Sequence, residues 1–363
     1  MHATARRLAI LGVIPLSVAG MMLPAANADS TARTAAGTSA VTSTAAQTDP
    51  DSRYVRWNAA NTWAKQQTVR TYWNRSRLMG AQPFDIVLTA SGVSNSTGRS
   101  NSRSNGSSAT VGQPSAFAPT LGRQAIGNSN RVTKGALWPG TGAIATTAGR
   151  VFFTLNENGR ARTASCSGTA VTSANRSVVI TAGHCVKSGG RFHTNWVFVP
   201  GFNNGNRPFG TWVATNLFTT PQWNANEDLN FDVGAAVVAP LNGRNLVDVV
   251  GGQGIAFNQA RRQQMYSFGY PAAQPFDGSS LIFCAGRAKD DDISSNDLGL
   301  GCIMTGGSSG GPWFLAFNER TGAGVVNSVN SFKYNFDPNT MYGPFFGQEA
   351  QAVFAAAQAQ GAQ

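Results

Sequence analysis

The sequence predicts an all-β fold with a short C-terminal helix, and three observations predict it. From about residue 145 the chain is a series of short apolar runs. Gly, Asn and Pro separate them, and Gly alone supplies 41 of the 363 residues. No long amphipathic pattern alternates with the runs, which argues for a sandwich or barrels over an α/β sheet.

The runs at 151–155, 166–171, 177–181, 196–200, 211–216, 233–238, 265–270, 281–284, 312–316 and 324–329 read as strands, each closed by turn residues. The Ala- and Gln-rich stretch near 348–358 reads as the late helix. Upstream, Arg6 and Arg7 precede an apolar stretch at 8–23, and Ala26-Asn27-Ala28 offers a small-x-small cleavage site. This is the pattern of a secretory signal over residues 1–28, and it implies an extracellular protein with no stable membrane association once the signal is removed.

Residues 29–130 read as a pro-region and linker, partly disordered, ahead of a main domain at 131–363. Within them, 53–79 carries Tyr54, Trp57, Trp63, Tyr72 and Trp73 among six basic residues and no acid, and it reads as one helix. A basic-aromatic patch also suits nucleic acid, but a segment that packs on the following domain fits an exported chain better. Residues 91–115 are Ser, Asn, Gly and Arg with no aromatic residue, a linker composition. Of the net charge of +11, +8 lies before residue 130, so the basic character belongs to the leader and gives no reason to expect nucleic acid as a partner.

Four cysteines, Cys166, Cys185, Cys284 and Cys302, suit two disulfides in an exported protein. Three pairings exist, and pairing of neighbours, which closes two short loops, is the one expected here. A zinc site using His184 and His193 lacks any CxxC spacing, so no metal or other cofactor is expected.

Three motifs carry chemistry. Thr181-Ala182-Gly183-His184-Cys185 follows an apolar strand, which puts His184 at a fixed place beside a cysteine, as a general base requires. Asn230-Phe231-Asp232-Val233-Gly234 opens another apolar strand with a carboxylate that needs a partner if buried, and an imidazole N–H is suitable. Gly306-Gly307-Ser308-Ser309-Gly310-Gly311-Pro312 surrounds a serine with glycines, so the Gly307 and Ser309 amides can meet a developing oxyanion. A Gly-x-Ser-x-Gly elbow of the α/β-hydrolase kind needs its His after the Ser, and the three histidines, His2, His184 and His193, all precede Ser309.

With His184, Asp232 and Ser309 in that order, the chain resembles trypsin-like serine peptidases of the chymotrypsin fold, and within them the bacterial glutamyl-endopeptidase-like branch. Residues 181–185, 232–234, 305–312 and Ser267-Phe268-Gly269-Tyr270-Pro271 carry the resemblance, which covers roughly 145–345. It implies two perpendicular six-stranded β-barrels with the site between them, a Cys166–Cys185 bridge, and a monomeric endopeptidase acting on protein or peptide substrates. It implies Ser309 as nucleophile, His184 as base and Asp232 as the orienting acid.

Ile303, Met304 and Thr305 should line the specificity pocket, and none is the Asp that favours Arg or Lys. The backbone of Ser328, Val329 and Asn330 should pair with extended substrate. No His stands near that strand to support a glutamyl preference. Ser308 replaces the Asp that digestive relatives keep before the nucleophile, so activation is expected to depend on removal of the leader. Asp290-Asp291-Asp292 reads as an exposed loop, with cation binding as the alternative. A catalytically silent binding protein and an esterase are the competing functional readings.

Overall fold

The computed structural model describes residues 53–90, 113, 115–120, 130–157 and 159–362. The expected signal at 1–28, the Ala/Thr/Ser-rich stretch after it and most of the linker at 91–115 lie outside the described residues.

The first lobe is a closed barrel of six strands. Trp212–Thr219, Thr194–Pro200, Ala148–Glu157, Arg160–Val171, Val178–Thr181 and Gly234–Val238 follow one another around it, and the last pairs back onto the first. Closure leaves no free edge in the ring. Val151, Phe152 and Phe153 are all buried although neighbouring side chains on a strand point to opposite faces. The reason is that the outer face is covered too. Trp73 packs on Phe152 from one face with ring centroids 5.6 Å apart, and Phe84 packs on Phe153 from the other at 5.8 Å. A strand buried on both sides reads as a continuous apolar run, which is how these runs appear in the sequence.

The second lobe is divided into two sheets. Seven strands run in the order Ser115–Phe117, Gly254–Phe257, Ala323–Val329, Pro312–Asn318, Gln264–Gly269, Ile282–Arg287 and Thr133–Leu137. Five more run Lys289–Asp290, Leu298–Gly301, Asp337–Gly343, Phe332–Tyr334 and Ile86–Leu88. Several of these were not expected from the sequence. Leu298–Gly301 is half glycine and Asp337–Gly343 opens on Asp-Pro-Asn, so local propensity argues against both and pairing in the sheet overrides it.

The helix Gln348–Ala359 lies where the Ala/Gln pattern placed it. It buries Ala350, Val353, Phe354 and Ala357, spaced three or four apart along one face. Disulfides join Cys166 to Cys185 and Cys284 to Cys302, one in each lobe.

Residues 53–90 are built into both lobes, and 53–79 is not one helix. Val55–Asn58 adds to the barrel beside Trp212–Thr219. Thr62 caps the helix Trp63–Tyr72, and Asn74 caps a second helix, Arg75–Gly80, by accepting from the Arg77 amide. An Asn whose side chain binds a backbone N–H three residues on starts a new helix rather than continuing an old one. No helix among the described residues is long and apolar enough to cross a membrane.

Candidate active site

His184 stands in a single turn, Gly183–Cys185, directly after the barrel strand Val178–Thr181. Both it and Asp232 are buried. The Asp232 carboxylate accepts twice from His184, from the backbone N–H at 2.7 Å through Oδ1 and from ring Nδ1 at 2.7 Å through Oδ2. Two contacts to one residue fix the imidazole plane and place the proton on Nδ1, leaving buried Nε2 as the acceptor with no hydrogen-bond partner.

Gly183 makes the close approach possible, because a Cβ there would stand 2.8 Å from the Trp223 ring and 2.9 Å from Asp232 Oδ1. A third donor, the Ser331 hydroxyl, reaches Asp232 Oδ2 at 2.5 Å. Asp297 is also fully buried. Desolvation, and then the carboxylates of Asp232, Asp291 and Asp228, push its pKa well up.

Ser309 sits in the glycine loop between the lobes. Gly307 has φ +92°, a conformation that L side chains rarely adopt. The Ser309 carbonyl accepts from Ser167 N–H at 2.7 Å, and the Ser167 hydroxyl donates to the Gly307 carbonyl at 2.9 Å, which ties the loop to the first barrel. Ser308, where an Asp was missed, donates to the Thr305 carbonyl at 2.7 Å. Its need for a partner is therefore met within the loop.

One residue touches both halves of the site. The Phe84 ring lies 5.6 Å from His184, while its carbonyl accepts from Gly307 N–H at 3.1 Å.

Ile303, Met304 and Thr305 line a cavity of about 420 Å³ beside Ser309, together with Phe332, Tyr334 and Met341. Ser328, Val329 and Asn330 do not line it. Ser328 and Val329 end the strand Ala323–Val329, where they pair with Trp313 and Pro312, and all three residues are fully buried. Asn330 is instead the buried hub of the nucleophile loop. Its Nδ2 donates to the carbonyls of Phe268 and Ser308, each at 3.0 Å, and its Oδ1 accepts from Ser267 and from Trp313 Nε1, each at 2.7 Å. The strand facing the cavity is Phe332–Tyr334, a few residues further on.

The acidic run is not an exposed loop throughout. Asp290 pairs with Arg261 and Arg262. Buried Asp291 accepts from the Ile293 and Ser295 amides and from the Ser295 and Tyr334 hydroxyls. Its oxygens hold a turn together and are already engaged.

Sequence reading missed His193 as a support. It is buried, stacks on Phe153 with centroids 4.2 Å apart, and its Nε2–H donates to the His184 carbonyl at 2.9 Å. Burial lowers its pKa from 6.5 to about 3, so it is neutral in the folded chain. An unfolded His binds a proton near pH 6.5, so this contribution to stability is complete above that pH and is lost as pH falls towards 3. Between pH 7 and pH 5 the loss should be about 2 kcal/mol. Urea midpoints at the two pH values should fall further for the wild type than for His193→Gln, and parallel losses would show that the ring is not held neutral.

No family model matches the chain. Among solved structures, the protease Anisep from Arthrobacter nicotinovorans is 45% identical, covering 59% of this chain and 96% of that one with a TM-score of 0.56. The thermostable serine protease AL20 from an extremophilic microorganism is 41% identical, covering 60% and 99% with a TM-score of 0.56. With this fold, the chain belongs to the serine proteases of the chymotrypsin fold.

Among curated proteins, an extracellular metalloprotease of Bacillus subtilis (strain 168) is 36% identical over 62 residues, which span 17% of this chain and only 20% of that protein. The metal in that name finds no ready ligand set at His184. Among the described residues, the cluster of three potential ligands is Cys166, His184 and Cys185, and its two sulfurs are bonded to each other. A disulfide offers no thiolate to a metal.

Proposed function

We propose that the chain is a secreted endopeptidase that cuts peptide bonds through an acyl-enzyme formed on Ser309. His184 Nε2 takes the Ser309 proton as the hydroxyl attacks the carbonyl and returns it to the leaving amine, after which water repeats the sequence to release the acid. Asp232 holds the ring in the right tautomer and offsets the charge of the imidazolium. The amides of Gly307 and Ser309 bind the oxyanion.

The observation that carries this reading is the doubly anchored His184, whose buried Nε2 is left unpartnered next to a glycine loop bearing a serine.

The lining of the cavity beside Ser309 supports an apolar preference. Ile303, Met304, Phe332 and Met341 make its walls apolar. The cation on its lining, Lys333, is engaged by the carbonyls of Cys302 at 2.7 Å and Pro338 at 2.6 Å. An uncharged, apolar side chain is the fitting occupant, since burying an unpaired charge there is costly.

Mass spectrometry of a protein mixture digested by the secreted protein should show new ends after apolar residues such as Leu, Phe and Met. Cuts predominantly after Arg and Lys, or after Glu, would refute the pocket assignment.

A further inference from the structure

We infer that the substrate groove also binds a peptide backwards, and that residues 82–88 of this chain are that peptide, an inhibitor the enzyme cannot cut. The inference rests on the proposed function above and concerns the regulation of the same site.

The segment crosses the site from one lobe to the other. Gln82–Pro83 lies parallel to the barrel strand Arg160–Val171, opposite Ala164 and Ser165, and the Phe84 amide donates to the Ser165 carbonyl at 3.0 Å. Ile86–Leu88 then pairs with Phe332–Tyr334, again parallel, with Ile86 opposite Phe332 and Leu88 opposite Tyr334. Between these two pairings the Phe84 carbonyl accepts from Gly307 N–H, the donor assigned to the oxyanion. A peptide carbonyl therefore already sits where the reacting one should.

What blocks reaction is the direction of the chain. A carbonyl is cut when the nitrogen it loses is the one His184 protonates, with the residue on the acyl side reaching into the pocket. For Phe84 these substituents are exchanged. Its side chain, on the acyl side, lies against His184 at 5.6 Å and His193 at 6.0 Å. The nitrogen that would leave belongs to Asp85, and Asp85 goes the other way, onto the cavity lining with Ile86 and Val87. The Asp85 carboxylate is so close to Gly306 that a Cβ on that glycine would meet Oδ2 at 2.8 Å.

Attack on this carbonyl would expel an amine on the pocket side, away from His184, the general acid of the proposed mechanism. Strand pairing to Phe332–Tyr334, the packing of the Phe84 ring on Phe153 and His184 and the place of Ile86 on the cavity lining hold the arrangement together, and the covalent tether keeps the local concentration high.

The occupant is thus an aromatic-acidic-aliphatic peptide, Phe84-Asp85-Ile86-Val87-Leu88, read against the groove in the direction opposite to a substrate. Two measurements on the full chain test this. A serine-directed phosphonate should label Ser309 in Phe84→Ala/Ile86→Ala at least about tenfold faster than in the wild type, the change expected when contacts worth one decade of binding are lost. Intact-mass analysis of the wild type should show the Phe84–Asp85 bond surviving incubation.

Equal labelling of the two proteins would overturn the inhibitory role and leave the proposed activity standing. Labelling of neither would sink both. Cleavage at Phe84–Asp85 that disappears in Ser309→Ala would show a productive, forward-bound substrate and overturn the reversed orientation without any variant of the segment having to fold.

Discussion

Ser309→Ala should lower kcat by about 10⁵- to 10⁶-fold, leaving only the slow hydrolysis supported by substrate binding and the oxyanion donors. Each decade corresponds to about 1.4 kcal/mol of activation free energy, so the hydroxyl is being asked for about 7–8 kcal/mol. The structure lets the loss be read as chemistry. The loop is held by backbone bonds of Ser309 and its neighbours, Ser167 N–H to the Ser309 carbonyl and Gly310 N–H to the Asn330 carbonyl, both 2.7 Å. Removing Oγ touches neither, so the melting temperature and KM should change little.

His184→Ala should lower kcat by a similar factor, and the double variant should be hardly slower than either single one, because nucleophile and base act as a unit. Kinetics on an apolar peptide substrate with the three variants check this. A drop that multiplied across the pair, or a Ser309→Ala enzyme that kept its rate, would remove Ser309 from the mechanism.

The parts of the site legible in the sequence were those in which one residue type can do the work and chain order excludes the alternatives. Three histidines, all ahead of Ser309, ruled out the hydrolase elbow, and a carboxylate opening an apolar strand had to find a partner. Ser331 was not legible. It donates to Asp232 from a part of the chain 99 residues away, and nothing in Ser-Phe-Lys marks a hydroxyl for that purpose.

The strand expected to meet substrate lies a few residues from the one that lines the cavity, for a related reason. The run at 324–329 looks like a strand and is one, but whether its end is open to a ligand depends on what packs around it, and Ser328, Val329 and Asn330 are fully buried. Of the aromatic residues at 54–73, Trp73 is buried, Tyr54, Trp57 and Tyr72 are partly buried and Trp63 is exposed, a division the sequence does not mark. Only the folded chain shows that Trp73 covers Phe152, with its indole N–H donating to the Asn195 carbonyl, and that the chain then continues into the cleft. Domain boundaries drawn from composition separate a leader from a body, whereas packing joins residues 53–90 to both lobes.

The second large effect belongs to Asp232→Asn, for which kcat should fall by about 10⁴-fold with folding preserved. The amide is nearly isosteric with the carboxylate, so the His184 backbone N–H can still donate to its oxygen. The Asn NH₂ then faces His184 Nδ1. It is a donor, so Nδ1 must become the acceptor and the ring proton moves to Nε2, which can no longer take the Ser309 proton.

Ser331 sharpens the test. Its hydroxyl donates to the same Oδ2, so Ser331→Ala removes one hydrogen bond to the charged carboxylate without altering the His184 tautomer. Such a bond contributes about 1.5–3 kcal/mol at most, which limits the effect on kcat to about ten- to a hundredfold. The ordering expected is therefore wild type, then Ser331→Ala, then Asp232→Asn, separated by two orders of magnitude or more at the last step. Equal losses for the two variants, at equal melting temperature, would mean that Asp232 acts through the general field of the site and not by selecting the tautomer. A wild-type rate for Asp232→Asn would remove it from the triad altogether.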